Sequence, residues 1–323
     1  MRPPEFYADN GIDLRLGTNA MAIDVAERHV MLSGGEELGF DKLLLATGAE
    51  PIRLQVQGAD LPHVRTLRSL ADSRDLIARA HKGSRAVVVG ASFIALEVAA
   101  ALRHREVEVQ VVAPEARPME RVLGPELGCF VQQLHESHGV VFHLGHTVAA
   151  IEADGVRLDH GATIDADFVV VGIGVRPRIQ LAQQAGLTID RGVLVTEYLE
   201  TSASAIFAAG DIARWPDAYS GERLRIEHWV VAERQGQTAA RNMLGRRERY
   251  AAVPFFWSQH YDVSIDYVGH AAVWDEIVQN GDANAHDVAL RFRQAGRTLA
   301  VATIFRGGES LLAEVAMERG QSP

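Results

Sequence analysis

The sequence predicts an α/β fold with a parallel sheet, followed by a smaller α+β unit. Apolar runs typical of buried strands occur at residues 86–89, 108–112 and 168–171. Helical periodicity separates the first two runs, and this alternation indicates parallel strands, because parallel neighbours need crossover connections. After Pro254, alternating strands precede a final helix. A chain of 323 residues is long enough for two or three such domains.

The other elements follow in order along the chain. Short strands are predicted before Gly48, and a loop-rich crossing from Gly48 to Pro62 leads to the first helix. The predicted strands span residues 11–16, 30–32, 43–45, 86–89, 108–112, 140–142, 168–171, 193–195, 205–209, 288–292 and 299–304. The predicted helices span residues 67–81, 92–104, 127–138, 227–244 and 309–318.

Composition excludes several classes of function. The formal net charge is −10, and phosphate binding needs a basic face, so no nucleic-acid partner is expected. No apolar run reaches the length of a membrane span, and the first residues do not resemble a signal peptide, so a cytoplasmic protein without a membrane partner is predicted. The single cysteine, Cys129, excludes a CxxC redox pair, and its apolar neighbours predict that it is buried.

The strand–turn–helix at residues 87–97 carries the strongest local signal for a nucleotide. Gly90 permits a tight turn, and the following helix start presents free N–H groups to a pyrophosphate. Ser92 and Ala95 replace the second and third glycines of the GxGxxG pattern, and both are small enough for close approach. An ordinary α/β turn is the alternative interpretation.

The choice between NAD(H) and NADP(H) stays open at this level. An acid that contacts the ribose is expected about 20 residues after the glycine turn. Ala113 occupies that position, and Glu115 follows two residues later. Arg117 and Arg121 come next and would suit a 2′-phosphate.

Three further stretches each bring an apolar strand to a glycine turn. They are Leu43–Pro51, Asp167–Pro177 and Thr201–Asp211. Taken singly, each is typical of any buried strand, and Asp211 could simply cap the next helix.

The order of these motifs resembles that of the two-dinucleotide flavoprotein reductases. Four motifs carry the resemblance, in the order ATGA, GASFIALE, VVVGIGVRP and TSASAIFAAGD. In addition, residues 225–229 and 254–259 resemble the flavin-contacting segments of the ferredoxin, rubredoxin and putidaredoxin reductase branch. That branch includes proteins similar to apoptosis-inducing factor. The resemblance covers nearly the whole chain. It implies an enzyme that uses FAD with NAD(H) or NADP(H) and passes electrons to a ferredoxin or a Rieske-type iron–sulfur protein.

The resemblance also implies roles for individual residues. Glu97 would be the catalytic-site residue that orients the nicotinamide against the flavin, because hydride transfer needs positioning more than proton transfer. Residues implied at the FAD site are Thr47, Gly48, Ala49, Gly210, Asp211, Glu227, His228, Trp229 and Trp257. Residues implied at the nicotinamide-cofactor site are Gly90, Ala91, Ser92, Phe93, Ile94, Glu115, Gly172, Ile173 and Gly174.

The implied fold has two Rossmann-like nucleotide-binding domains and a C-terminal α+β domain. The NAD(P)-binding domain, residues 84–192, is inserted in an FAD-binding domain formed by residues 1–83 and 193–250. Residues 251–323 would form a reductase-type or dimerisation domain, and a homodimer is one expected assembly.

The sequence departs from the resemblance near its start. No strand followed by GxGxxG precedes Gly48, so a truncated FAD domain without its pyrophosphate-binding unit is predicted. Two alternatives follow from this departure. One is a relic that binds NAD(H) without flavin turnover, and the other is half of an assembly in which another segment supplies the rest of the FAD site.

Two further features have plain interpretations. His135, His138, His143 and His146 suggest a metal cluster, but Gly139 stands where a zincin motif needs histidine, so no metal is predicted. Residues 214–249 carry eight arginines against five acids. This excess fits either a solvated helix face or a docking patch for an acidic electron carrier.

Overall fold

The N-terminal part of the chain forms a small antiparallel sheet and one strand, which pairs with a strand from a later part of the chain. The computed structural model describes residues 2–323. Strands β1, β2 and β3 pair in that order, and β4 leaves them toward the centre of the molecule. The elements are α1 (Pro4–Asp9), β1 (Ala20–Asp24), β2 (His29–Leu32), β3 (Glu37–Gly39), β4 (Leu43–Leu45) and β5 (Ala49–Pro51).

The predicted strand at residues 11–16 is wrong. These residues form turns and irregular backbone, bracketed by Gly11 and Gly17 with φ of +67° and +68°. Leu16 is 77% exposed, and no neighbouring strand pairs with this segment. The alternation of apolar and polar residues was therefore not sufficient to predict a strand, because a strand also needs a partner for its N–H and C=O groups.

The central unit is the predicted parallel sheet with its helices. Five parallel strands lie in the order β6-β13-β7-β8-β9, and a separate antiparallel sheet, β10-β11-β12, precedes β13. The elements are β6 (Val64–Thr66), α2 (Leu70–Arg79), β7 (Arg85–Val89), α3 (Phe93–His104), β8 (Glu108–Ala113), α4 (Glu120–Ser137), β9 (Val140–Leu144), β10 (Val148–Glu152), β11 (Gly155–Leu158), β12 (Thr163–Asp165) and β13 (Phe168–Val171).

Helix α4 contains two helical segments joined at Gly124, whose φ is +76°, and Pro125 begins the second segment. Leu127, Phe130 and Val131 face the core from this helix. Cys129 is exposed, so its predicted burial is wrong. The reason is the helical period, because a residue two positions from Leu127 lies about 200° around the axis from it.

The chain then returns to the first unit. Strand β16 pairs with β4 in parallel, β14 pairs with β5, and β15, β17 and β18 form a small sheet beside them. The elements are β14 (Val175–Pro177), α5 (Gln180–Gln184), β15 (Val193–Leu194), β16 (Ile206–Ala208), a 3₁₀ turn (Gly210–Ile212), β17 (Ala213–Pro216), β18 (Arg223–Leu224) and α6 (Trp229–Met243).

The last unit is the predicted α+β module. Its antiparallel sheet has the order β19-β20-β23-β22-β21, and α7 packs on β20 and β23. The elements are β19 (Phe255–His260), β20 (Val263–Gly269), β21 (Glu276–Asp282), β22 (Asp287–Gln294), β23 (Arg297–Ile304) and α7 (Gly307–Glu318).

One hydrophobic core joins the central and C-terminal units. Val88 and Leu96 from the parallel sheet and α3 belong to the same buried cluster as Ile265 and Phe292 from the antiparallel sheet. The predicted fold class, α/β nucleotide-binding units with a C-terminal α+β unit, is confirmed. Among the described residues, none of the helices combines the length and apolar character that crossing a membrane requires.

Candidate functional site

The first candidate site lies where β7 turns into α3. Gly90 has a φ of +108°, and a Cβ atom there would lie 2.4 Å from the carbonyl oxygen of Gly172. Only glycine fits such a backbone and such a close approach. Helix α3 begins at Phe93 with no side-chain cap on its first N–H groups. The turn therefore offers unpaired N–H donors and the positive end of a helix dipole to an anion.

A cavity of about 400 Å³ opens in front of this turn. Eight of the nine residues predicted for the nicotinamide cofactor line it: Gly90, Ala91, Ser92, Phe93, Glu115, Gly172, Ile173 and Gly174. The ninth, Ile94, lies outside the lining and is 46% exposed. Five further residues line the cavity, and of these the sequence suggested only Arg121. They are Pro114, Met119, Glu120, Arg121 and Val122.

A second cavity of about 470 Å³ lies between the returning strands, α6 and the loop after β4. It brings together Gly48, Gly210, Asp211, Glu227 and Trp229 from the predicted flavin residues. Helix α6 contributes Gly236, whose missing side chain would meet no atom within 4 Å. A glycine inside a helix costs about 1 kcal/mol relative to alanine. Here it leaves bare backbone facing the cavity, which suits a flat ligand laid close to the helix.

The carboxylate of Asp211 lies at the rim of this second cavity. Its Oδ2 accepts a hydrogen bond from Arg68 Nη2 at 2.7 Å, and its side chain is only 11% exposed. Among the described residues, none donates a hydrogen bond to Oδ1. That oxygen is free to accept a hydrogen bond from a ligand hydroxyl. Arg68 was not predicted, because it lies 143 residues from Asp211 along the chain.

The remaining predicted flavin residues lie around the second cavity and do not line it. Thr47 Oγ1 donates to the carbonyl oxygen of Arg178 at 2.6 Å, and Ala49 is buried in β5. His228 precedes α6, and its buried Nδ1 has no hydrogen-bond partner among the described residues. Burial, with His270 nearby, lowers the pKa of His228 to about 4, so its ring is neutral at pH 7.

Aromatic contacts join the two cavities. Phe93, which lines the first cavity, packs edge-on against Phe256 at 4.9 Å between ring centroids. Phe256 in turn packs against His228 at 4.0 Å, directly before Trp229 of the second cavity. Trp257 contacts Trp229 at 5.6 Å, and both indoles are exposed. Helix α3 and strand β19 thus hold the two candidate sites next to each other.

Glu97 anchors a buried polar chain at this junction. Its Oε1 accepts hydrogen bonds from Ser258 Oγ at 2.6 Å and from the Gln259 amide at 3.2 Å. Ser258 Oγ lies 3.0 Å from His260 Nε2, and His260 Nδ1 lies 3.1 Å from His135 Nε2. Ser258, His260 and His135 are at most 1% exposed. The sequence did not predict this chain: Ser258 was considered only as part of the segment 254–259, His135 only as a metal candidate, and His260 not at all.

Burial sets the charge state of both histidines in this chain. It lowers the pKa of His260 to about 4, and burial together with His260 and His138 lowers the pKa of His135 to about 3. Both rings are therefore neutral at pH 7, and each has one N–H donor and one acceptor nitrogen.

The residues that are present fit one end of FAD. The second cavity, the open face of Gly236, the unsatisfied Nδ1 of His228 and the available Oδ1 of Asp211 suit an isoalloxazine ring and its ribityl chain. The strand–glycine turn–helix unit at β7–α3 belongs to the first cavity. Among the described residues before β4, no strand turns through a glycine into a helix that could bind the ADP end of the cofactor.

The histidines considered for a metal separate into two groups. His135 joins the buried chain described above, whereas His146 Nδ1 and His160 Nδ1 lie 3.1 Å and 3.3 Å from the same oxygen of Asp159. One ligand atom from each of these three residues lies within 4.8 Å of the others. Asp159 and His160 are exposed. The absence of a functional metal stays a prediction.

Comparison with known proteins agrees with this arrangement. Residues 6–236 match the model of the family described as pyridine nucleotide-disulphide oxidoreductase, and residues 255–323 match the one described as reductase C-terminal. The chain is 36% identical to the anthranilate 1,2-dioxygenase system ferredoxin–NAD(+) reductase component of Burkholderia cepacia, over 100% of this chain and 81% of that protein. It is 34% identical to the putidaredoxin reductase of Pseudomonas putida, over 95% and 75% of the two chains.

Solved structures show the same fold. The covalent putidaredoxin reductase–putidaredoxin complex superposes with a TM-score of 0.95 at 32% identity, covering 99% of this chain and 79% of that chain. The ferredoxin reductase for the CYP199A2 system of Rhodopseudomonas palustris gives a TM-score of 0.95 at 33% identity, covering 100% and 81%.

These matches and the two adjoining cavities define the class of the protein, which is a pyridine-nucleotide-dependent reductase. The chain belongs to the pyridine nucleotide-disulphide oxidoreductase family. The predicted family and enzyme class are confirmed, and enzymes of this family use FAD and NAD(H).

Proposed function

We propose that this chain is a flavin-dependent NADH reductase that delivers electrons to a ferredoxin or a Rieske-type iron–sulfur protein. The observation that carries the proposal is the row of ring contacts from Phe93 through Phe256 to His228, which connects the two cavities. A reductase of this kind must hold a nicotinamide and a flavin in contact, and these ring contacts fix the elements that would do so. Relatives that share this fold are named as ferredoxin–NAD(+) and putidaredoxin reductases.

The first cavity would hold NADH. The uncapped start of α3 and the tight turn at Gly90 would bind the pyrophosphate, and Gly172–Gly174 would line the nicotinamide end. Glu115 lines the same cavity, and its side chain is only 27% exposed. Its carboxylate would accept hydrogen bonds from the ribose hydroxyls and disfavour a 2′-phosphate. Arg121 lines the same cavity 3.9 Å from this carboxylate and is 82% exposed, and relatives are named as ferredoxin–NAD(+) reductases. NADH is therefore the expected coenzyme.

The second cavity would hold the flavin end of FAD. When bound, this group accepts a hydride from NADH and passes electrons on singly. Asp211 would hold the ribityl hydroxyls, with Arg68 fixing the orientation of its carboxylate. Glu97 would orient the nicotinamide from the opposite side, held by Ser258 and the Gln259 amide. Thr47, Ala49 and Trp257 would surround this site without lining the cavity.

The proposed docking face for the iron–sulfur partner is the exposed pair Trp229 and Trp257, which are 63% and 44% exposed. Exposed indoles beside the flavin cavity would bring a partner close to the electron donor. The arginine-rich segment 214–249 supports this less well, because Arg214, Arg225, Arg234 and Arg241 already pair with carboxylates. A homodimer, a cytoplasmic location and the domain limits 84–192 and 251–323 stay predictions.

A steady-state assay tests the proposal. The protein is incubated with FAD, and the NADH-dependent reduction of a [2Fe–2S] ferredoxin is compared with that of ferricyanide. Trp257→Ala should slow ferredoxin reduction and leave ferricyanide reduction largely unchanged, because Trp257 does not line the flavin cavity and the small acceptor needs no docking face. Leu244→Ala, at a site that is 82% exposed, is the matched control. Failure of the FAD-loaded wild type to oxidise NADH with either acceptor would refute the proposal.

A second candidate is an assembly in which another polypeptide segment completes the FAD site. The observation that favours it is an exposed apolar surface before β4. Ile12, Leu14, Leu16, Met21 and Met31 are between 42% and 77% exposed. Large contiguous apolar surfaces commonly mark interaction sites. Binding of FAD that depends on protein concentration or on an added segment would support this candidate over the autonomous reductase.

A further inference from the structure

The hydrogen bonds that begin at Glu97 form one continuous chain to the protein surface. Beyond His135, its Nδ1 lies 3.4 Å from the hydroxyl of Tyr261, which is partly exposed. The chain joins α3, β19 and α4 and connects five residues, Glu97, Ser258, His260, His135 and Tyr261. The three in the middle are buried, whereas Glu97 and Tyr261 at the two ends are partly exposed.

The direction of each hydrogen bond in this chain follows from the groups at its two ends. Glu97 Oε1 accepts from Ser258, so the Ser258 oxygen must accept from His260 Nε2–H. His260 Nδ1 then accepts from His135 Nε2–H, and His135 Nδ1 accepts from the Tyr261 hydroxyl. Both histidines are thereby assigned the Nε2–H tautomer. Each group in the middle donates one hydrogen bond along the chain and accepts another.

We propose that Ser258, His260, His135 and Tyr261 form a proton relay between solvent and the Glu97 carboxylate. With these hydrogen-bond directions, water gives a proton to the Tyr261 oxygen. Each following group then passes the proton that it already carries to its neighbour on the Glu97 side. Ser258 finally protonates Glu97. At every atom one O–H or N–H bond forms and one breaks. The reverse sequence returns the proton to solvent and restores the starting polarity.

The neutral state of both rings suits this role. A histidine that was already charged would donate from both nitrogens and would block the relay, whereas a neutral ring relays by exchanging its donor and acceptor nitrogens. The charged and titratable groups near the outer end are His138, which stacks on Tyr261 at 3.6 Å, and Arg103. Arg103 donates to the His138 carbonyl oxygen at 2.7 Å, which leaves the Tyr261–His135 link undisturbed.

The relay gives the proposed reaction, on which this role rests, an exchangeable proton site. Oxidation of one NADH by two one-electron acceptors yields NAD⁺, two reduced acceptors and one proton. That proton would travel with the hydride and be released when the bound flavin passes its electrons on, and a carboxylate beside the two cavities that exchanges protons with solvent would accept and release it. Ser258, His260 and His135 would be positioning residues, because they act through Glu97.

Ring-nitrogen NMR tests the relay without any cofactor. In the full chain labelled with ¹⁵N-histidine, His260 and His135 should both show the Nε2–H tautomer. The rate at which His260 Nε2–H exchanges with solvent is then compared with that of the indole N–H of Trp215, which is 1% exposed and lies outside the chain. Tyr261→Phe removes only the outlet hydroxyl and should slow the His260 exchange roughly tenfold or more, with Trp215 unchanged.

Ser258→Ala is the complementary variant. It removes the acceptor of the His260 Nε2–H proton, so the exchange at His260 should slow as it does in Tyr261→Phe. The relay would be overturned if either histidine carried its proton on Nδ1. It would equally be overturned if His260 exchanged at the Trp215 rate in the wild type and in Tyr261→Phe.

Turnover supplies the second measurement. In the FAD-loaded enzyme, His260→Gln should lower kcat for NADH oxidation roughly tenfold or more and raise the solvent isotope effect, with an unchanged KM for NADH. Glutamine can donate and accept hydrogen bonds but does not relay protons, so a purely structural role would survive this change. An inactive wild type with the predicted NMR result would refute the proposed function and leave the relay standing.

Discussion

The buried pair His135 and His260 predicts a marked loss of stability in mild acid. Both rings are fully buried, with pKa values of about 3 and about 4, against about 6.5 in an unfolded chain. Below pH 6.5 the unfolded chain therefore binds protons that the folded protein does not bind. The free energy of unfolding therefore has its full value above pH 6.5, and it decreases as the pH is lowered toward 4. Between pH 7 and pH 5 each histidine contributes a loss of about 2 kcal/mol.

Urea unfolding at pH 7, 6 and 5 measures this effect. His260→Gln removes one of the two titrating rings, so the variant should lose about 2 kcal/mol less than the wild type over this interval. Ser258→Ala alters the same buried chain without removing a titrating ring, and it should retain the wild-type pH dependence. Parallel pH profiles for the wild type and His260→Gln would refute the reasoning, because burial would then not be holding His260 neutral.

Three further predictions concern the two cavities. Gly236→Leu should preserve folding, since leucine is a better helix former than glycine, yet weaken FAD binding roughly tenfold or more, as measured by fluorescence titration against Gly236→Ala. Retained affinity would mean that the flavin does not lie on α6. Glu115→Gln should reduce the preference for NADH over NADPH, measured as the ratio of kcat/KM values, by about tenfold, and an unchanged ratio would place the ribose elsewhere. Gly90→Ala should lower the free energy of unfolding by about 2–4 kcal/mol, because its Cβ meets the Gly172 carbonyl oxygen at 2.4 Å. Gly145→Ala, where a Cβ meets nothing within 4 Å, should cost distinctly less.

Local sequence patterns pointed to most of the residues that line the first cavity, and the role of these residues in binding a nicotinamide stays a prediction. Gly90, Ser92 and Phe93 are neighbours in one turn, and the turn itself requires their residue types. The parallel sheet followed from apolar runs separated by helices, and the four of its five strands that were predicted are parallel as expected, whereas β6 was missed. The strand at residues 11–16 failed because alternation does not supply a partner strand.

The rest of the site depends on contacts between residues far apart in the chain. Ser258 lies 161 residues from Glu97, and His135 lies 125 residues from His260. Neither pair has a spacing that a sequence pattern would reveal, because only the packing of β19 against α3 and α4 creates them. His135 was instead grouped with its near neighbours as a metal candidate. Arg68 was missed for the same reason as Ser258.

The most direct test of the central claim is the visible absorption spectrum of the protein after incubation with FAD and removal of unbound cofactor. The spectrum is recorded without oxygen, before and after the addition of NADH. The account predicts oxidised-flavin bands that remain with the protein and disappear when NADH is added. A protein that retains no flavin, or a bound flavin that NADH does not reduce, would contradict the claim that these two cavities form one reductase site.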